Sequence, residues 1–132
     1  MKRKNFVRTI IAAIFIGALV IYWFTFAKER QELERRRHQI SDIEMACFIF
    51  AKNHAGQFPR HLRDLTEIYG DAQPFFSRAL AELELDAPGA HTTDNVDAVL
   101  IRERAADAKG RCYFGYIDGH CQLVSLKPET GH

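Results

Sequence analysis

Three cysteines and six histidines are the residues of this chain that could do covalent or metal chemistry. Cys121 has His120 beside it, a pairing that suggests an activated thiol. Such a thiol needs its base in hydrogen-bonded contact. Neighbours on a strand point to opposite faces, so His120 and Cys121 do not make that contact if a strand carries them. The histidines (His38, His54, His61, His91, His120, His132) are scattered, without the Cys-x-x-Cys or His-x-x-x-His spacing of a metal site. The expectation is therefore a binding or structural protein rather than an enzyme, with no cofactor, metal or small-molecule substrate.

A disulfide between Cys112 and Cys121 is the other use these thiols suggest. If Asp118-Gly119 is a two-residue loop, Tyr116 faces Cys121 and Cys112 faces Ser125. Both thiols then lie on one sheet face, four positions apart. At about 3.3 Å per residue they stand roughly 13 Å from one another, against a bridgeable Cα separation of about 7 Å. Free thiols on a mostly apolar face with Phe114, Tyr116 and Leu123 are expected instead. Asp118 is explained by the turn alone.

The elements that position these groups follow from periodicity. Asp118-Gly119 between apolar runs is a hairpin signal, because a tight turn of this kind needs positive φ. It joins a strand over 111–117 to one over 120–126; residues 96–102 read as a further strand, and Lys109-Gly110 as the turn between. Residues 86–95, with Pro88 and Gly89, read as a loop. Leu62, Leu65, Ile68 and Tyr69 predict a short helix stopped by Gly70. Phe75, Phe76, Ala79, Leu80 and Leu83 predict another, with Pro74 near its start.

Upstream, no Gly or Pro falls between Ala27 and Gly56, so one helix is expected throughout. Ile40, Ile43, Cys47, Phe50 and Ala51 form an apolar stripe for packing on a core. Phe48, Phe58, Phe75 and Phe76 are expected in that core too. The stretch KERQELERRRHQ reads as a solvated stem, with Glu32 and Arg36 at i, i+4 and Glu34 and Arg37 at i, i+3. Leu33, Ile40 and Cys47 are seven apart, but Arg36 interrupts the seam a coiled coil would need. Gly56 ends the helix, and Phe58-Pro59 turns the chain away.

Ile10 to Ala27 is a run of 18 residues without a charge, spanning roughly 27 Å as a helix, close to the thickness of a bilayer's hydrocarbon. Tyr22 and Trp23 fall where amphipathic rings favour the interface. Lys2, Arg3, Lys4 and Arg8 could serve a signal peptide, but the run exceeds the usual apolar core of about 7–15 residues. A retained membrane helix is the reading. Basic residues on both sides leave the charge rule nearly tied on orientation. The formal net charge of +1 argues against a nucleic-acid partner. Ala13 and Gly17 make a small-x-x-x-small step through which helices could approach closely.

A basic N-terminus, an apolar helix continuing into an amphipathic one, and Ala55-Gly56-Gln57-Phe58-Pro59 followed by Leu62 and Leu65 resemble type IV pilin-like proteins. The likeness is closest to the pseudopilins of type II secretion, whose long helix ends at a Gly-x-Tyr/Phe-Pro turn. The segment from Lys109 to His120 is similar to the end of a bacterial prepilin-like group carrying a His, nine residues, then Asp-Gly. Here Ala108 holds the place of that His. With Phe6 taken as the first mature residue, Asn5 stands where the family has Gly and Ile10 where it has Glu.

The resemblance implies an α+β, pilin-like fold, with a long N-terminal transmembrane-plus-amphipathic helix packed on a small antiparallel β-sheet. It implies a minor or non-polymerising structural component of a type II secretion or type IV pilus-like assembly in the bacterial inner membrane. The expected layout is a cytoplasmic basic N-terminus (1–9), a transmembrane helix (10–27), a helical stem (28–55) and a periplasmic head (56–132). Its partners would be the membrane and other pilin-like or secretion-platform proteins. The alternative is a solitary membrane-anchored extracytoplasmic module that binds its ligand at the sheet or at the 86–95 loop.

Overall fold

The protein is described by a computed structural model covering residues 2–70 and 74–126. Its first element, α1, runs unbroken over Lys2–Asn53. The chain divides into two compact units, residues 1–35 and residues 36–132, so the boundary falls inside this helix and not near its end. In the first unit the apolar side chains from Phe6 to Phe26 are exposed. Among the described residues this is the one helix long and apolar enough to cross a membrane.

In the second unit, α1 ends where Ala55 and Gly56 take left-handed backbone, φ 56° and 83°. The Gly56 N–H reaches back to the Ala51 carbonyl at 2.7 Å, the helix-closing bond that a left-handed residue makes possible. A 3-10 turn (Leu62–Leu65) leads into the one-turn helix α2 (Thr66–Tyr69), and α3 covers Pro74–Glu82. Leu83, expected at the end of α3, instead opens a strand. Four antiparallel strands follow, β1 (Leu83–Leu85), β2 (Val99–Glu103), β3 (Arg111–Tyr116) and β4 (Cys121–Ser125), in the order β1-β2-β3-β4.

The part of α1 from residue 36 onward lies on one face of this sheet, in an α+β arrangement. The core includes Ile40, Ile43 and Cys47 of α1, Phe58, Leu65 and Phe76 from the intervening segments, and Ile101 of β2, all nearly inaccessible. Phe48 meets Phe58 edge-on at 5.3 Å, and the Tyr69 hydroxyl donates to the Asp42 carbonyl at 3.0 Å. These contacts tie the turn segments back to the helix.

Helix and sheet meet most closely at Gly115. A Cβ there would stand 2.8 Å from Ile101 Cγ2 and 3.1 Å from Glu44 Oε2. Gly115→Ala should therefore overpack this crossing and destabilise the head by about 1–3 kcal/mol. A lowered urea midpoint is the expected readout, and an unchanged midpoint would show that the crossing has slack.

The hairpin differs from the expected register by one residue. Gly115 pairs with Cys121 and Cys112 with Val124, because the connection has three residues, Ile117, Asp118 and Gly119, rather than two. The Gly119 N–H donates to the Tyr116 carbonyl and the Tyr116 N–H to the His120 carbonyl, at 3.0 and 2.9 Å. Gly119 takes φ 96°, the left-handed residue that closes three-residue hairpins. One residue of slip exchanges faces, so Cys112 and Cys121 lie on opposite sides of the sheet and not on one. All three thiols are free.

Candidate functional site

Two regions of α1 carry the groups that could act. In the first unit, Ala13 and Gly17 are exposed on the membrane-type segment. Nothing lies within 4 Å of the position a Gly17 Cβ would take. Their surroundings are open along a helix of exposed Ile, Phe, Leu and Val, a surface suited to lipid or to another apolar helix.

The second region is the face that α1 turns to the sheet. Ile40, Ile43 and Cys47 are fully buried there as the stripe required. Phe50, placed by its spacing on the same face, is half-buried and stacks on His54 at 3.8 Å. Two charged residues also take buried positions, Arg36 at 8% exposure, which its place in the charged stem had suggested was solvated, and Glu44 at 2%.

Arg36 does not pair with Glu32, which binds Arg35 instead at 2.6 Å. Its guanidinium grips Glu103 of β2 through two bonds, Nε to Oε1 at 2.8 Å and Nη2 to Oε2 at 2.6 Å. Its Nη1 donates to Asp107 Oδ2 at 2.9 Å, and Nη2 donates to the Arg111 carbonyl at 3.0 Å. The cation also sits 5.5 Å from the centre of the Tyr113 ring, and the Tyr113 N–H donates to Glu103 Oε2 at 2.8 Å. The Glu103 bonds, outweighing desolvation, hold the guanidinium proton still more tightly than usual. For Asp107, desolvation pushes the carboxyl up, but donors from Arg111, Arg36 and Lys109 outweigh it and hold it well below the usual range. A paired, charge-assisted cluster of this kind fixes geometry.

Glu44 is the opposite case. It is buried against Gly115, and its Oε1 has no hydrogen-bond partner. Desolvation, with the nearby negative charge of Asp118, pushes its carboxyl up to about 8. Burial also pushes the Cys47 thiol up to about 12, with Glu44 adding to the effect. Cys121 is raised by burial and then by Glu44, and Cys112 by burial and then by Glu103. Activated thiols sit in the reverse setting, electropositive and partly open.

At the hairpin, Asp118 accepts the His120 N–H at 3.0 Å and pairs with the His120 imidazole, which stacks on Tyr116. Asp118 and Gly119 thus serve the turn. Among the described residues no three His, Cys, Asp or Glu side chains converge as a metal site would require. His132 lies outside the described residues. Glu44 stands four residues after Ile40 and three before Cys47, a spacing that could have placed it on the buried face. Compared with family models, curated proteins and solved structures, the chain matches none.

Proposed function

We propose that this chain is a membrane-anchored structural component of a type II secretion or pilus-like assembly, acting through helix packing rather than catalysis. The observation that carries the reading is the division of labour along α1. The stretch from Ile10 to Ala27 exposes mostly apolar side chains, while the stretch from Arg36 onward is locked into the head by Glu103, Asp107 and the core. A helix so built can present an apolar surface to neighbours in the bilayer while holding a folded domain. Thiols raised by burial support a role without nucleophilic chemistry. The pseudopilin-like order of motifs supports the bacterial inner membrane, with the N-terminus cytoplasmic and the head periplasmic.

The test is crosslinking in intact membranes, detergent extraction, and identification of the chains that stay attached. Pilin-like or secretion-platform proteins among them are the expected result. Recovery of the chain alone would overturn the assembly role and favour a solitary module. Gly17→Leu should reduce the crosslinked yield several-fold, since tight helix contacts in bilayers are worth on the order of 1 kcal/mol. The head should remain folded, as Gly17 belongs to the other unit. An unchanged yield would exclude Gly17 from the contact.

A further inference from the structure

A cleft of about 590 Å³ opens beside β1, between the segment around Arg60–Arg63 and Arg104. Its charge is unbalanced. Arg60 and Arg63 are exposed and have no ion-pair or hydrogen-bond partner for their guanidinium groups among the described residues. Arg104 is held by carbonyls, Nε donating to Leu83 at 2.9 Å and Nη2 to Leu80 at 3.5 Å, and it has no carboxylate partner among the described residues. The acid lining the cleft, Glu84, is already taken by Arg102 at 2.7 Å.

Two of these arginines are set in place by the fold. Arg60 lies across Gly89, where a Cβ would come 3.2 Å from its Cγ and 3.4 Å from its Nε. That glycine, at φ 71°, sits in a loop bonded to the Arg60 segment by Gly89 N–H to the Pro59 carbonyl, 3.1 Å, and Phe58 N–H to the Ala90 carbonyl, 2.7 Å. Arg104 is fastened to the last turn of α3 and to the first residue of β1. Ordered cations lose less freedom when an anion arrives.

The shape indicates which anion. The cleft lies beside β1, an end strand of the sheet paired, among the described residues, only with β2. Arg104 takes its Leu83 carbonyl, which leaves the outward main chain of Leu85 to an added strand. Leu62, Leu80, Leu85 and Pro88 give the cleft an apolar side as well. An extended peptide with alternating carboxylates could lie along this edge, its acids on the arginines, which bind carboxylates in a planar fork.

We infer that this cleft is a docking site for an extended acidic segment of a partner protein. The inference stands apart from the assembly role, since a solitary anchored module could use the same cleft.

The test uses the full chain in nanodiscs of neutral lipid, with a fluorescein-labelled peptide alternating Glu and Thr as the probe, read by anisotropy. Binding that weakens steeply with added salt is expected. Arg63→Glu should weaken it about tenfold, and the Arg60→Glu/Arg63→Glu pair should abolish it. Lys52→Glu makes the same charge change outside the cleft and should alter it less than twofold. The milder Arg63→Gln, with circular dichroism confirming the fold, should give an intermediate loss. Absence of binding, or equal loss in Lys52→Glu and Arg63→Glu, would overturn the proposal. So would displacement of the peptide by inorganic phosphate at equal concentration, which would assign the cleft to a small oxyanion.

Discussion

Arg36→Leu is expected to lower the stability of the head by about 3–5 kcal/mol, the usual consequence of removing one partner from a buried ion pair. Most of that loss comes from what stays behind. Glu103 is only 9% exposed, and without the guanidinium its charge keeps, among the described residues, one donor, the Tyr113 N–H. Urea denaturation of the full chain in micelles, followed through the near-ultraviolet signal of the head tyrosines, measures the change. The double variant Arg36→Leu/Glu103→Leu should recover most of the loss, since an apolar pair leaves no unpaired charge. Equal stability in the single variant and the parent would refute the clamp. Acid should weaken the cluster too. The Asp107 carboxyl is held below its ordinary value of 3.8. Its contribution is therefore complete above that value and is lost as pH falls through the lower, folded one.

Glu44→Met is expected to stabilise the protein, and more so as pH rises. The folded carboxyl titrates near 8 against an ordinary 4.5, so between these values the folded state holds a proton that the unfolded chain has released. Stability contributed by the protonated acid is complete below pH 4.5 and is lost as pH rises through 8. Each unit of that window corresponds to about 1.4 kcal/mol. The variant should therefore gain on the order of 4–5 kcal/mol over the parent at pH 8 and little at pH 4.5. Urea midpoints at the two pH values decide it. Parallel pH profiles for parent and variant would mean that Glu44 ionises freely and is not held in the interior.

The elements of the fold were legible where the pattern is local. The run from Ile10 to Ala27, the stripe through Ile40, Ile43 and Cys47, and the Asp-Gly turn each announce themselves within a few residues. What escaped depends on distance. Nothing near Arg36 in sequence says that Glu103 and Asp107 will meet it, so its neighbour Glu32 looked the natural partner. The hairpin was visible but its register was not, because Asp-Gly serves a two-residue turn and a three-residue turn alike. That single residue decided which face carries Cys121. β1 was hidden for another reason. Leu83 continues the apolar period of α3, and a strand of three residues is too short to show an alternation. Gly115 in the middle of an aromatic strand was the one local hint of a close approach, and it marks where Glu44 is buried.

The pairing of Arg36 with Glu103 and Asp107 also sets a timetable for synthesis. A ribosome delivers the helix before its partners, which lie 67 and 71 positions further along the chain. Until β2 and β3 emerge, the Ile40 and Ile43 side chains have no sheet to cover them and the Arg36 cation lacks Glu103 and Asp107. Closing a loop of that length carries a chain-entropy cost of about 4 kcal/mol in its length-dependent part. It is repaid only when several strands assemble together. The head should thus gain its structure late and in one step, after β2 and β3 have left the ribosome. A chain stalled before residue 103 would carry a naked amphipathic helix, a ready target for chaperones and proteases.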